Sequence, residues 1–428
     1  MLDRKFILEN LEAVRSNCAN RGIDVDLDSF AELDGKRRSL QQEVDRLNQE
    51  ANATAKSIKD AKDPDERQKL IDQGKQLRTQ RAEAEEKLQQ AKDELEALQS
   101  IIPNMSHPAA PIGASDADNA ELERGATPLP SFDFKPLDHL EIGEKLDLID
   151  MEAGSKVTGH GFYFLKNDAV LLDLALQNYA LNILVKDGFA PVTTPDLARN
   201  EVMRGTGYVP RGAETQIYSI AETDLSLIAT SEITLAGLQA GEILPQDQMP
   251  IKLCGISHCF RTEAGAHGRA SRGLYRVHQF TKVEMFAFTM PDGSPEMHQR
   301  MLDLEKQIFD GLGIPYRVIE NATGDLGAAA YRKYDLEAWM PGRGDGGEFG
   351  EITSTSNCTD YQARRLNIRY RGEDGKVAGF LHTLNGTAIA ISRALIAILE
   401  NYQQADGSVR VPEVLRPFLG KDVIGSTG

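Results

Sequence analysis

Positions 33, 37, 40, 44, 47, 51, 54 and 58 advance by alternating steps of four and three through a run rich in Gln, Glu, Lys, Arg and Ala. They read Leu, Arg, Leu, Val, Leu, Ala, Thr and Ile. A second seam at 70, 74, 77, 81, 84, 88, 91 and 95 reads Leu, Gly, Leu, Arg, Ala, Leu, Ala and Leu. Both keep the 3.5-residue period of a coiled-coil seam. The seams mirror each other about Pro64: Ile58 matches Leu70, Ala51 matches Leu77, Leu40 matches Leu88, and Leu33 matches Leu95. Proline disfavours helical geometry at the residue before it, so the chain is expected to turn within 60–66. The pattern predicts an antiparallel two-helix arm over about 28–100, roughly 40–50 Å long at about 1.5 Å per residue.

Ahead of the arm, Phe6, Ile7, Leu8, Leu11 and Val14 fit one short amphipathic helix ending near Arg21-Gly22. Behind it, residues 101–135 hold Pro103, Pro108, Pro111, Pro128 and Pro130 among Ser, Ala and Asp. That composition predicts a linker between an N-terminal domain, 1–100, and a second domain, 136–428. The second domain alternates helical and strand patterns. Leu171–Gly188 reads as a helix and Val192–Pro195 as a strand end. Ile251–Glu263 and Tyr275–Phe286 alternate with period two around a loop holding Gly265, Gly268 and Gly273, which predicts a long β-hairpin. Val377–Leu384 reads as a strand and Asn385-Gly386-Thr387 as a turn. A helix follows over about Ala388–Tyr402.

The hairpin carries the candidate chemistry. Alternation puts Arg261 and Glu263 on one face of its first strand, and Arg276, Phe280 and Glu284 on one face of its second. If those faces coincide, two guanidinium forks, an aromatic plate and two carboxylates share a surface. Such forks bind phosphate oxygens bidentately, a ring stacks on a heterocycle, and carboxylates hold a cation or an amine. The competing reading is a set of exposed salt bridges, which contribute little. Arg393 sits inside the last helix. Along Glu348–Asn357 a regular strand puts Glu351 and Ser354 on opposite faces, so their joint use requires a bend.

Composition narrows the classes. The 428 residues carry 48 Lys plus Arg against 65 Asp plus Glu, a formal charge of −17, so the chain cannot coat nucleic acid through net charge. The distal arm, Thr54–Ala82, is nonetheless net +3; it is either an ordinary solvated coiled coil or a basic tip for a phosphate backbone. The four cysteines, Cys18, Cys254, Cys259 and Cys358, form no C-x-x-C pair. Cys254 and Cys259 flank His258, which invites zinc, but the strand-like alternation favours buried cysteines. No run of about 18 apolar residues is found, and the N-terminus lacks an apolar signal core. A cytoplasmic chain with no membrane partner is expected.

At these residues the chain resembles the seryl branch of the class II aminoacyl-tRNA synthetases. Phe260-Arg261-Thr262-Glu263-Ala264-Gly265 with Arg272 through Phe280 resembles motif 2, Gly188 through Pro195 motif 1, and Leu384-Asn385-Gly386-Thr387 through Arg393 motif 3. Thr230-Ser231-Glu232 is similar to the branch's serine-binding Thr-x-Glu, and Glu351 through Asp360 to its acidic strand; the arm is also the branch's own. The pattern departs at Ala229 and Ser231, where the branch has Pro and Ala, and at Thr387-Ala388, where it often has Ser-Gly.

The resemblance implies an α+β fold, a coiled-coil arm plus an antiparallel sheet flanked by helices. It implies activation of L-serine with ATP and transfer to tRNA(Ser), with tRNA(Sec) as a further acceptor, by a homodimer joined through motif 1. Arg261 and Arg393 are then catalytic, gripping the α- and γ-phosphates, and Arg276 holds the bent triphosphate. Glu263, Thr262, Val277 and Phe280 surround the adenine, and Glu351, Ile352, Thr353 and Ser354 complete the ATP site. Glu351 and Ser354 carry Mg²⁺, while Thr230, Ser231, Glu232, Glu284 and Thr387 bind serine. The cysteine ligands of the zinc-dependent subclass are not apparent, so no zinc is expected. A relative that loads a carrier protein instead generally lacks the arm, and a catalytically dead scaffold need not keep Arg261, Arg393 and Glu351.

Overall fold

The arm's two seams close on each other through helices Leu27–Asp60 and Pro64–Ile101, in a computed structural model describing residues 1–208, 216–263 and 273–425. Asp26 caps the first helix, its side chain accepting from the Ser29 N–H at 2.9 Å. The turn is only Ala61–Asp63, and Pro64 opens the second helix, where a missing N–H has no partner to lose. The mirror pairing holds: Leu40, Val44, Leu47 and Ala51 pack with Leu77, Ala84 and Leu88. Gly74 faces Thr54 and Ile58, whose methyls lie 3.9 Å from where its Cβ would stand. The single helix expected before the arm is two, Arg4–Glu9 and Leu11–Asn20, divided at Asn10, whose side chain donates to the Phe6 carbonyl at 2.9 Å. Residues 1–103 form one compact unit and 104–428 another.

The second unit is built on an eight-stranded sheet. Its strands in chain order are β1 (Ala120–Arg124), β2 (Ala190–Thr193), β3 (Ile251–Phe260), β4 (Gln279–Thr289), β5 (Tyr316–Glu320), β6 (Arg332–Met340), β7 (Glu348–Asn357) and β8 (His382–Ala390). Across the sheet they lie β1-β5-β6-β7-β8-β4-β3-β2. All pairs are antiparallel except β2 with β3. Helices Asp168–Lys186, Ser294–Leu312 and Ile391–Asn401 share one core with the sheet, filled by Leu172, Leu176, Ile308, Phe309, Leu336, Leu384, Leu395 and Leu399.

Two further expectations change. The stretch 101–135 is more than a linker: Ala120–Arg124 pairs with β5, and the Asn104 side chain donates to the Ala329 and Cys358 carbonyls, both at 2.9 Å. Its strand is an exposed edge of mostly polar residues, so no apolar period announced it. Asn385-Gly386-Thr387 is no turn but the middle of β8, where pairing with β7 and β4 overrides local turn preference. Helix Asp168–Lys186 is, by length and composition, long and apolar enough to cross a membrane, although Asp173, Gln177, Asn178 and Asn182 interrupt its apolar run. In the fold it is a core helix, with Leu172, Leu176, Ala180 and Leu184 fully buried. The hairpin loop with Gly265 and Gly268, and Ala264 through Arg272 of the motif 2 run, lie outside the described residues.

Candidate active site

Charge collects on the sheet around β3, β4, β7 and β8. β3 and β4 pair in register from Ile251↔Phe288 to Phe260↔Gln279. Arg261, Glu263 and Arg276 therefore lie just beyond the paired strands rather than on them. Their backbones find other partners: Arg261 N–H donates to the His278 carbonyl at 3.0 Å, and Glu263 takes a left-handed conformation (φ 49°). Convergence is still reached. The Arg261 guanidinium lies 5.3 Å from the centre of the Phe280 ring, and Arg276 meets Glu263 at 3.3 Å. A cation over an aromatic face is held by the ring's quadrupole.

The bend required by Glu351 and Ser354 is present. β6 and β7 pair Leu336↔Thr353 and then Glu337↔Glu351, so Ile352 is an extra residue in the ladder. A bulge shifts the side-chain alternation by one. Glu351 and Ser354 consequently line the same cavity, while Thr353 turns under the sheet, where its hydroxyl donates to the buried Glu305 at 2.9 Å. Arg393 reaches up from its helix: Nη1 donates to the Glu351 carbonyl at 2.9 Å and sits 3.2 Å from its carboxylate. Partial enclosure opposes charge on Glu351, but Arg393, Lys333 and Arg261 outweigh it and hold this carboxyl well below the usual carboxylate range.

Two adjoining cavities result. One, of about 40 Å³, is walled by Arg261, Glu263, Arg276, Phe280, Glu351 and Arg393, with Tyr275, Val277, Ile352 and Thr353 also on its lining. The other, of about 420 Å³, takes Glu232, Glu284, Ser354, Lys333 and Asn385. Arg261, Lys282, Glu351 and Thr387 border both. In the second, Glu232 accepts from Gln362 at 2.6 Å, Asn385 at 2.9 Å and the Tyr208 hydroxyl at 3.2 Å. Burial, reinforced by nearby Glu284, pushes its carboxyl up to about 7. Glu284 is ion-paired with Lys282 and accepts from the Thr387 hydroxyl at 3.4 Å. A larger cavity of about 570 Å³, among Met249, Met290, Met297, Glu296, Arg300 and Asp303, lies at the far end of the hairpin and holds none of the candidate residues.

Not every candidate reaches these walls. Thr230 is buried and its hydroxyl accepts the Glu232 N–H at 3.2 Å, which orders the start of helix Glu232–Gly237. Ser231 packs its hydroxyl toward Gly255 of β3, and Thr262 donates its backbone N–H to Gln216 at 3.2 Å. His258 pairs with Asp196 at 2.9 Å, while Cys254 and Cys259 are fully buried. The sequence reading missed Lys282, Lys333, Asp335 and Asn385. Lys282 had a signal: it falls between Phe280 and Glu284 on the same strand face. Lys333 and Asp335, an ion pair at 3.3 Å on β6, had none, because only the β6–β7 register brings Asp335 opposite Ser354.

Comparison with known proteins identifies the family. Residues 1–106 match the seryl-tRNA synthetase N-terminal domain, and residues 217–402 match the class II tRNA synthetase core domain (G, H, P, S and T). A serine–tRNA ligase of Rhodopirellula baltica is 59% identical over 424 residues, covering 99% of each chain, and one of Treponema denticola is 56% identical over 425 residues, covering 99% of this chain and all of the relative. The crystal structure of seryl-tRNA synthetase from Pyrococcus horikoshii complexed with ATP superposes over 100% of both chains with a TM-score of 0.90 at 38% identity. Arm, sheet, charged cavities and these likenesses agree, and the chain belongs to the seryl-tRNA synthetase family of class II aminoacyl-tRNA synthetases.

Proposed function

We propose that this chain is a serine–tRNA ligase. It joins L-serine to ATP as seryl-adenylate, releasing pyrophosphate, and passes the seryl group to the 3′ end of tRNA(Ser). The bulge at Ile352 carries the reading, because it turns Glu351 and Ser354 onto one wall with Arg261, Glu232 and Glu284, while Glu351 also meets Arg393 in the adjoining cavity.

In this reading Phe280 stacks on the adenine beside Val277, with Glu263 at the ring's edge, while Thr262 ties the intervening backbone to Gln216. Arg261 and Arg393 grip the α- and γ-phosphates, and Arg276 holds the bent triphosphate. Ile352 lines the nucleotide's cavity, and Thr353 supports that strand from beneath through Glu305. The residues suit Mg²⁺: Glu351 is kept ionised by its cationic neighbours and Ser354 adds a hydroxyl on the same wall, the hard oxygen donors that ion takes. When bound, Mg²⁺ supplies neutralising charge at the phosphates. Zinc has no part, and Cys254 and Cys259 belong to the core. Glu232, Glu284 and Thr387 hold the serine ammonium and hydroxyl, with Thr230 and Ser231 ordering the segment that carries Glu232. A pocket of buried hydrogen-bonding groups rejects alanine, since the missing hydroxyl leaves partners unpaired.

The serine carboxylate is already an anion and attacks the α-phosphorus in line, so no general base is needed. Rate comes from positioning and from arginine charge at the developing pentavalent phosphate. A terminal ribose hydroxyl of the tRNA then attacks the seryl carbonyl, and AMP leaves. The net +3 tip of the arm meets the tRNA by backbone and shape, as RNA helices are generally read. A second copy of the chain covers the apolar outer face of helix Asp168–Lys186 beside the edge strand β2, where Val170, Leu171, Leu174 and Val185 are exposed.

Pyrophosphate–ATP exchange across the twenty amino acids, followed by charging of tRNA(Ser) and tRNA(Sec) transcripts, tests the reading. Exchange dependent on serine alone and charging of tRNA(Ser) are expected; exchange driven by another amino acid would remove the assignment. Charging of tRNA(Sec) tests its finer part.

A further inference from the structure

Outside both cavities, a buried histidine–glutamate dyad joins three segments of the second unit. His139 and Glu400 are 7% and 1% exposed. Glu400 Oε1 accepts from the His139 backbone N–H at 3.0 Å and faces His139 Nδ1 at 2.9 Å, while its Oε2 accepts from the Gly342 N–H at 2.8 Å. His139 Nε2 accepts from the Leu274 N–H at 3.2 Å. Those partners fix the neutral tautomer with its proton on Nδ1, since Nε2 must offer a lone pair. The packing leaves no slack. A Cβ on Gly273 would stand 2.2 Å from His139 Nε2, and one on Gly342 would stand 3.0 Å from the Glu400 carboxyl carbon.

What the dyad holds is the support of Arg393. Leu274 precedes Tyr275, and Gly342 precedes Arg343. Arg343 and Arg393 both lie over the Tyr275 ring, at 4.1 and 4.7 Å, and Arg393 Nε donates to the Tyr275 carbonyl at 3.4 Å. Glu400 itself lies two turns beyond Arg393 on the same helix. We infer that His139 and Glu400 are positioning residues for ATP: they lock the Gly273–Tyr275 turn against helix Ile391–Asn401, so that Arg393 meets the nucleotide phosphates already aimed. The inference rests on the proposed adenylating activity.

Two isosteric substitutions separate the two ring nitrogens. Asn at 139 replaces Nδ1 but offers Leu274 no acceptor; Gln places an oxygen near Nε2. In serine-dependent pyrophosphate exchange, His139→Asn is expected to raise the KM for ATP about tenfold with the KM for serine changed less than about twofold. His139→Gln should recover most of the ATP KM. Amide exchange of the peptide holding Leu274 should be fast in His139→Asn and slow in His139→Gln. If His139→Asn fails to fold, Glu400→Gln is read in the same assay and should raise the KM for ATP selectively. An unchanged ATP KM, equal losses for ATP and serine, or a His139→Gln variant no better than His139→Asn would overturn the inference. Absence of serine-dependent exchange in the unsubstituted protein would instead remove the activity, with the amide exchange still testing the clamp.

Discussion

Arg261 is worth most where charge develops. It borders both cavities and is aimed across the Phe280 ring, so Arg261→Ala should cut serine-dependent exchange by about 100-fold or more, the usual cost of removing one preorganised transition-state donor. Thermal unfolding of the variant should be little changed; retained exchange removes Arg261 from its role. Glu232 gives a pH signature. Its carboxyl, raised from 4.5 to about 7 by burial and Glu284, keeps its proton in the fold through a range where the unfolded chain has lost it. This group therefore supports the fold less as pH rises from about 4.5 to 7. A bound serine ammonium favours the ionised form, so the KM for serine should fall as pH rises from 6 to 8. Glu232→Gln should show a higher KM without that slope; a slope identical to the unsubstituted protein would exclude Glu232 as its source.

At the scale of elements, the arm and the sheet belong to different units, and the proposed reaction assigns them different steps. The arm's helices bury a narrow seam of their own, Val44 and Leu47 against Leu77, Ala84 and Leu88, which makes a rod with little core but a complete internal pairing. Deletion of residues 30–98 should leave pyrophosphate exchange within about threefold and reduce tRNA(Ser) charging by at least about 100-fold, measured with the same enzyme stock. Charging that persists would disprove the role of the arm. Within the sheet, helix Ser294–Leu312 fixes β7 from below. Glu305 takes the Thr353 hydroxyl, His298 the Thr355 carbonyl at 3.1 Å, and Ser294 the Asn357 side chain at 3.2 Å. These are alternate residues of β7, which leaves Ser354 and Ser356 for the cavity face.

For the whole molecule the open question of assembly falls on one helix. Asp168–Lys186 buries one side in the core and leaves Leu171 and Leu174 about half exposed on the other. In the proposed dimer a charge there separates the copies: Leu174→Asp is expected to sediment as a monomer and the unsubstituted chain as a dimer. A variant that stays dimeric would move the interface elsewhere.

Periodicity alone determined the arm, because a coiled-coil seam is a local repeat and its mirror symmetry about Pro64 needs no knowledge of the rest of the chain. The hairpin was legible for a related reason: Phe280 and Glu284 obey strand alternation within a single run, and the same alternation carried the unread signal of Lys282. Motif spacing carried the family. The tertiary structure decided what depends on partners distant in sequence. The bulge at Ile352 exists only in the register between β6 and β7, and without it Glu351 and Ser354 point to opposite faces. Asn385-Gly386-Thr387 reads as a turn until two neighbouring strands pair with it. Likewise His139 and Glu400, separated by 261 positions, carry no pattern that joins them, and only packing around Leu274 and Gly342 makes them one device.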